Sequence, residues 1–267
     1  MRGDAGWTVV GTGRVGTALA RWLAQTGAAP LACIRHAGLA SWLARLPQQA
    51  PAGVLLAVPD DALPELARRL AAAHRDWRGW CVLHTSGTRP AAVLAPLARR
   101  GAATASLHPM MTFAGRAVSP TGVIFSIEGS AKACQAARRL VRRWGGQSLP
   151  LAPAAKASYH LAATLVGPGT VVNMAAAEAL LRRSGFAGAR LGLARAGLLR
   201  LLQATTANLA SGPEAAWTGA WARGDRTTLA LHRRQLPNRP LRHLYDGLAG
   251  AASCYLPTST VSRAREN

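Results

Sequence analysis

The most constraining feature of this sequence is a short apolar segment that runs directly into a glycine-rich turn. Trp7–Val10 precedes the turn, and an alanine- and leucine-rich segment typical of a helix follows it. In such a turn the first glycine permits a tight bend, the second lets a ligand approach the backbone, and the third lets the helix pack on the strand. The N–H groups at the helix start can then bind a phosphate. The pattern predicts a Rossmann fold whose cofactor-binding turn is Gly11, Thr12, Gly13, Arg14, Val15 and Gly16.

The end of the second predicted strand bears on which dinucleotide is bound. Roughly twenty residues beyond the glycines, NAD-binding proteins place an acidic residue on the ribose 2′-hydroxyl. This chain has Arg35 there, followed by His36. A guanidinium can pair with a 2′-phosphate, whereas a carboxylate would repel it. We therefore expect NADP(H) as the cofactor, with a solvated surface arginine as the alternative for Arg35.

Apolar runs alternate with helical patterns through the first half of the chain and then disappear. Strands are predicted at about 53–58, 80–83, 102–107 and 122–128, with helices between them, and 147–151 is either a last strand or a linker. From about residue 153 only helical segments follow, at 156–166, 171–183, 191–209 and 226–234 onward. The fold class is α/β, with a doubly wound, mostly parallel Rossmann sheet followed by a separate all-helical C-terminal domain. The predicted domains are an NADP-binding domain at 1–150 and a helical substrate and dimerisation domain at 151–267.

Polar residues cluster just after three of the apolar runs. In open α/β sheets, ligands bind beyond the carboxyl ends of the strands, so these residues are expected to face one crevice. Each cluster alone is also compatible with ordinary turn chemistry. The residues assigned to the cofactor are Val58, Pro59, Asp60, His84 and Thr85, and His108 ends the neighbouring strand.

The formal net charge of +21, from 32 basic and 11 acidic residues, is the most unusual property of the composition. The basic residues are scattered singly and in pairs, without interleaved aromatic residues or a nucleic-acid-binding motif. We interpret the charge as arginine-biased composition that attracts small anions, and we expect no specific nucleic-acid partner. Only Lys132 and Lys156 are lysines.

The cysteines and the chain start indicate a reduced, cytoplasmic protein. The four cysteines are far apart and lack zinc-site spacing, so no metal site is expected, and Cys33 and Cys81 are predicted to be buried thiols. Because the first strand is predicted to begin at once, we expect no signal peptide. The uncharged stretch 157–177 contains Gly167-Pro168-Gly169, a helix-breaking tripeptide, and is predicted to be a buried core helix rather than a membrane span.

Five separated segments resemble those of a known family. These are Val58-Pro59-Asp60-Asp61, His84-Thr85-Ser86-Gly87, Leu107-His108-Pro109-Met110-Met111-Thr112-Phe113, Lys156-Ala157-Ser158-Tyr159-His160, and Thr218-Gly219 with Arg223-Gly224-Asp225 and His232. The chain resembles bacterial two-domain proteins with a Rossmann-like first half and a DUF2520 second half, related to 6-phosphogluconate dehydrogenase-like reductases. The resemblance implies an NADP-dependent oxidoreductase, some members of the family being similar to ketopantoate reductases, and a homodimer. Two segments depart from the family pattern: Val166-Gly167-Pro168-Gly169 lacks an asparagine that could bind substrate, and Thr218-Gly219-Ala220 replaces Thr-Gly-Pro.

Three residues are predicted to carry the chemistry. Hydride delivery to a carbonyl builds negative charge on its oxygen, so the site needs a positioned cation or acid. Lys156 is the first candidate, since related reductases place their catalytic lysine at this point, and an accidental surface lysine is the alternative. His160 lies four residues later on the same helix face, as a proton relay, an anion contact or a packing residue. Ser86 is expected to donate a hydrogen bond to the substrate or the nicotinamide carboxamide.

The function predicted from these residues is reduction of a small, anionic oxo compound in the cleft between the domains. A 2-oxo acid such as ketopantoate is the first substrate. The alternatives are imine reduction with a proton donor such as Tyr159, and a non-catalytic NADP-binding sensor. Arg223 could bind a substrate carboxylate, or Arg223 and Asp225 could cap the helix and form a salt bridge within the domain, which is the interpretation we favour.

Overall fold

The computed structural model describes residues 6–27, 30–46, 53–114 and 118–256. The chain divides into two compact units, Met1–Pro168 and Gly169–Asn267. Residues 151–168, which the sequence assigned to the second domain, therefore cluster with the first unit.

The first unit is built on a seven-stranded sheet in the order β2-β1-β3-β4-β5-β6-β7. Strands β1 to β5 are parallel, β6 runs antiparallel to β5, and β7 is parallel to β6. The strand order reverses beside β1, which creates a topological switch point where ligands bind in folds of this kind. The strands are β1 Trp7–Val10, β2 Ala32–Ile34, β3 Gly53–Leu56, β4 Cys81–His84, β5 Ala103–Pro109, β6 Ile124–Gly129 and β7 Gln147–Pro150. The predicted doubly wound, mostly parallel sheet is confirmed.

Helices cover both faces of this sheet because successive strand residues point to opposite sides. Val9 and Leu55 join one buried cluster with Trp22 and Trp144, whereas Val10 and Leu56 join the cluster on the other face. The helices of the first unit are α1 Arg14–Gln25, α2 Leu39–Arg45, α3 Leu63–Ala73, α4 Ala95–Ala98 and α5 Ala131–Arg143.

The long helix α6, Lys156–Arg183, continues through the segment that was predicted to break it. Pro168 lies inside the helix, so the expectation of two helices at 156–166 and 171–183 was wrong. A proline inside a helix costs about 3 kcal/mol, which the many remaining turns of a long helix can offset. The expectation of a buried core helix was also wrong for the single chain, because Leu165 and Val166 are exposed and Lys156 is the only buried residue of α6 in the described chain.

In its described residues the second unit consists of helices joined by turns and short loops. Its apolar side chains are mostly half-buried or exposed, and among those described only Leu191, Ala222 and Leu236 are buried. The segment 153–183, which enters this unit, is long and apolar enough to cross a membrane by length and composition alone. The remaining helices are α7 Gly188–Leu209, α8 Pro213–Ala216, α9 Gly219–Ala222, α10 Arg226–Gln235 and α11 Arg239–Tyr255.

Candidate active site

The glycine turn after β1 has the close approaches that its sequence predicts. Gly11 adopts φ +102°, and a Cβ atom there would collide with the carbonyl oxygen of Ala57 beyond β3. A Cβ atom on Gly16 would collide in turn with the carbonyl oxygen of Gly11. Both positions therefore require glycine to hold α1 against the strand ends.

The start of α1 is open toward a ligand. Gly13 is the N-cap, and a Cβ atom added there would meet no other atom within 4 Å. Neither a side-chain cap nor an acidic residue occupies the first turn, and the nearby Thr17 hydroxyl donates to the Thr12 carbonyl at 3.2 Å instead of capping the helix. The first N–H groups of α1, on Arg14, Val15 and Gly16, are thus free of a side-chain cap, as a pyrophosphate site requires.

Arg35 follows β2 directly beside this turn. The backbone N–H of Gly11 donates to the carbonyl of Ile34 at 2.9 Å, which places Arg35 one residue from the contact. Arg35 is exposed. Cys33 is also exposed, so the prediction that it is a buried thiol was wrong. Cys33 lies on the edge strand β2, whereas Cys81, on the central strand β4, is buried.

Asp60 and Ser86 join the ends of β3 and β4. The Ser86 hydroxyl donates to Asp60 Oδ2 at 2.7 Å, and the Thr88 hydroxyl donates to the same oxygen at 2.6 Å. Partial burial works against ionisation of Asp60, but the hydrogen bonds from Thr88 and Ser86, with charges that include Arg89, hold its pKa below the ordinary value. Asp60 is therefore an ionised carboxylate that fixes the loop after β4.

The Ser86 hydroxyl is occupied by this loop. Its single proton goes to Asp60, and its oxygen accepts the backbone N–H groups of Thr88 at 3.2 Å and Arg89 at 2.9 Å. Donation from Ser86 to a substrate or carboxamide stays a prediction, and it would require this proton to leave Asp60.

Lys156 lies in the interior at the first turn of α6. Only 1% of the residue is exposed, so the alternative of an accidental surface lysine was wrong. Its Nζ donates to Ser106 Oγ at 2.7 Å and to the Ser86 carbonyl at 3.2 Å. Burial lowers the pKa of Lys156 from its ordinary value, and the negative charges of Glu128 and Asp60 oppose that decrease. One N–H of the ammonium is left without a protein acceptor in the described part of the chain.

Two neutral histidines surround the same strand ends. His84 is fully buried, and its Nδ1 accepts the backbone N–H of Ser86 at 3.2 Å. Burial, with the nearby Lys156 charge, lowers the pKa of His84 to about 4. Burial also lowers the pKa of His108 to about 4, with help from His160 and Lys156. Both imidazoles are therefore uncharged near neutral pH.

His160 and Tyr159 pack edge-on against His108, with ring centroids 5.5 and 5.7 Å apart, respectively. This contact depends on Gly87, where a Cβ atom would collide with the His160 ring and come within 2.8 Å of His108 Nε2. His160 is thereby brought to the loop that carries Ser86.

The sequence patterns did not reveal Ser106, which accepts a hydrogen bond from Lys156, or Glu128, which lies opposite Ser106 on β6. Ser106 and Glu128 are buried polar residues inside strands that were treated as uniformly apolar. Their signal was a serine within 102–107 and an acidic residue near the end of 122–128. In unit 2, Asp225 caps α10 by accepting the Thr228 N–H at 3.0 Å, as the helix-capping interpretation expects.

Comparison with known proteins agrees with this architecture. A model described as a Rossmann-like domain matches residues 4–109, and one described as a domain of unknown function, DUF2520, matches residues 123–252. The chain contains a Rossmann-like domain and a DUF2520 domain. The predicted resemblance to this two-domain arrangement is confirmed, and no curated protein matches the chain.

Several solved structures share the fold. A Bacteroides fragilis protein provisionally named an NADP oxidoreductase is 23% identical, with a TM-score of 0.75 over 93% of this chain and 97% of that one. Protein TM1727 from Thermotoga maritima is 20% identical, with a TM-score of 0.68 over 92% and 96%. A reductive aminase from Aspergillus terreus is 19% identical, with a TM-score of 0.65 over 94% of both chains. At these identities the likeness establishes the fold of the Rossmann-like and DUF2520 domains.

Proposed function

We propose that this chain is an NADP(H)-dependent reductase of a small oxo compound. The observation that carries the proposal is that one sheet places the uncapped glycine turn after β1 and the buried side chain of Lys156 at its strand ends. The first feature suits a dinucleotide phosphate, and the second suits charge development on a substrate oxygen.

The residues around the glycine turn fit NADP(H). The backbone N–H groups of Arg14, Val15 and Gly16 would hold the pyrophosphate, and Arg35 would pair with the 2′-phosphate. The open side of Gly13 supports this assignment, because a ligand can approach the backbone there. When bound, the cofactor supplies the hydride. The solved relatives provide support of the same kind, since the Aspergillus terreus reductive aminase structure contains NADPH.

Lys156 is the residue we assign to the reacting oxygen. Two of its three N–H groups are used by Ser86 and Ser106, which fixes the direction of the third. A positive charge held in a water-excluded site stabilises a developing oxyanion more strongly than it would in water. His160, held over Gly87, is assigned a supporting role as proton relay or anion contact.

A 2-oxo acid such as ketopantoate is the first substrate we propose. Imine reduction is the second, and one observation favours it. The Tyr159 hydroxyl is buried without a well-formed hydrogen bond in the described residues, and burial raises the pKa of Tyr159 although the Ser126 hydroxyl opposes that increase. Tyr159 therefore remains a protonated donor, which imine reduction needs. An imine reductase from Aspergillus terreus shares the fold at 21% identity and a TM-score of 0.62.

The test is NADPH consumption with panels of 2-oxo acids and cyclic imines. Lys156→Met should lower kcat by at least about 100-fold with little change in cofactor affinity. The control is Lys132→Met, at the exposed second lysine on α5, which should leave kcat unchanged. Gly13→Ala should weaken NADPH binding because the new methyl occupies the open side of the turn, and Gly197→Ala on α7 is its control. Cofactor binding without turnover on either panel would favour the sensor alternative.

We also propose that the chain forms a homodimer through α6 and α7. Leu161, Leu165, Val172 and Leu193 are each more than half exposed in the single chain. Apolar area of this extent is normally covered by a partner. A second copy fits the resemblance on which the expectation of a homodimer rests.

A further inference from the structure

The charge of Lys156 needs a counter-charge that its direct contacts do not supply. Its two acceptors, the Ser86 carbonyl and the Ser106 hydroxyl, are both uncharged. No carboxylate of the described residues lies within ion-pair distance of its Nζ. An ammonium that is 1% exposed loses its hydration, and it becomes neutral unless a nearby negative charge compensates.

Glu128 is placed to compensate it. Glu128 lies on β6 directly opposite Ser106 in the antiparallel register, so both side chains point to the same face of the sheet. Glu128 is itself buried, with 6% of the residue exposed, and its Oε1 accepts the Ala91 N–H at 2.6 Å. Ser106 thus stands beside both Lys156 and Glu128.

We propose that Glu128 is the buried counter-charge that keeps the Lys156 side chain an ammonium, acting across Ser106. Glu128 is then a positioning residue for the reaction, which it influences only through Lys156. The charge state of Lys156 can be measured without turnover; only its effect on catalysis rests on the proposed function.

The other titratable groups around Lys156 contribute less support to its positive charge. Asp60 is ionised, but its Oδ2 is committed to the Ser86 and Thr88 hydroxyls, and it raises the pKa of Lys156 less than Glu128 does. His84 and His108 are neutral near neutral pH and supply no negative charge. The groups that face this region are Glu128 on β6, Asp60 after β3, His84 on β4, His108 on β5 and His160 on α6.

The chain allows an unusually direct test, because Lys132 and Lys156 are its only lysines. Protein labelled with ¹⁵N-lysine should give two side-chain signals, and their pH titrations report each pKa. Glu128→Gln, which retains an oxygen for the Ala91 N–H, should lower the pKa of Lys156 by roughly one unit or more and leave Lys132 unchanged. Glu65→Gln, at an exposed glutamate on α3, is the control. An unchanged Lys156 titration in Glu128→Gln would overturn the proposal.

Two further measurements keep the proposal testable if Glu128→Gln does not fold. Ser106→Ala should also lower the pKa of Lys156, because the charged form loses an acceptor. In the unsubstituted protein, Lys156 should give an ammonium signal near neutral pH, and a neutral amine there would refute the proposal.

The effect on catalysis is tested by the pH dependence of turnover, whose alkaline limb should move to lower pH in Glu128→Gln. A shifted Lys156 titration in a protein that reduces no substrate would refute the proposed function and leave this inference standing.

Discussion

The two units of this chain differ in how completely they bury their apolar side chains. In the first unit, buried residues form a continuous cluster on each face of the sheet. In the second unit few of the described apolar side chains are buried, and several large ones are exposed, Leu193 at 76% being an example. A sheet covered by helices on both faces can complete its own core, whereas this set of helices has apolar faces left for another surface. We therefore expect the sheet and the helices on its faces to be stabilised by their own core. We expect α6 and the helices of the second unit to be stabilised in part by contact with a partner.

The largest expected effect is the loss of folding stability when a core residue of the first unit is truncated. Leu83→Ala on β4 removes a side chain with 0% exposure and should lower the free energy of unfolding by about 2–5 kcal/mol. Leu31→Ala, at a leucine that is 64% exposed in the same unit, should change it by less than about 0.5 kcal/mol. Urea unfolding monitored by tryptophan fluorescence measures both. Equal effects would contradict the assignment of the core.

The buried histidine of the first unit should make its stability sensitive to acid. The folded-state pKa of His84 is about 4, below its ordinary 6.5, so the unfolded chain binds the proton more readily between these values. Stability is therefore fully present above about pH 6.5 and declines as the pH falls toward 4, by about 3 kcal/mol for this group. His84→Asn, whose Oδ1 can accept the Ser86 N–H, should lose correspondingly less stability on acidification. The same substitution at exposed His243 on α11 is the control, and parallel behaviour of the two variants would argue against the prediction.

A charged side chain on the exposed apolar surface of the second unit tests whether that surface is a dimer interface. Leu193→Asp on α7 should weaken self-association by at least about 100-fold, because a buried unpaired carboxylate costs several kcal/mol at an interface. Leu31→Asp, also at an exposed leucine, should leave the oligomeric state unchanged. Sedimentation velocity across a concentration range measures both variants. If the unsubstituted protein is itself a monomer, the proposed homodimer is wrong, and the exposed apolar residues of the second unit are not covered by a second copy.

The smallest expected effect is on cofactor affinity, when the positive charge of Arg35 is removed from the first unit. Arg35→Ala should weaken NADPH binding by about 10-fold, or about 1.4 kcal/mol, while NADH binding changes little. Arg138→Ala, at an exposed arginine on α5, should affect neither cofactor. Fluorescence titration with both cofactors tests the pair. A uniform loss for both arginines would mean that the +21 charge acts as a general field.

The sequence predicted the elements of the sheet better than the behaviour of the helices. A continuous apolar run such as Val54–Leu56 is typical of a strand that is covered by helices on both faces. The strand predicted there is present as β3, and its residues are buried. At Gly167-Pro168-Gly169 local propensity predicted a break, but α6 continues because cooperative helix bonding outweighs a single proline. Burial of 157–177 was inferred from composition, which does not say whether a segment is covered by its own chain.

What the sequence by itself determined is the set of elements of the sheet and a list of candidate positions at their ends. The glycine turn at residues 11–16, the arginine after β2 and the polar residues at the strand ends are readable because each follows directly from its neighbours along the chain. Only the tertiary structure decided that Lys156 is buried, that Ser86 is bound by Asp60, and that Glu128 stands across Ser106 from the ammonium. These relations join residues from β3, β4, β5, β6 and α6. Charge and hydrogen bonding depend on distance in space, which strand order and packing set and sequence spacing does not.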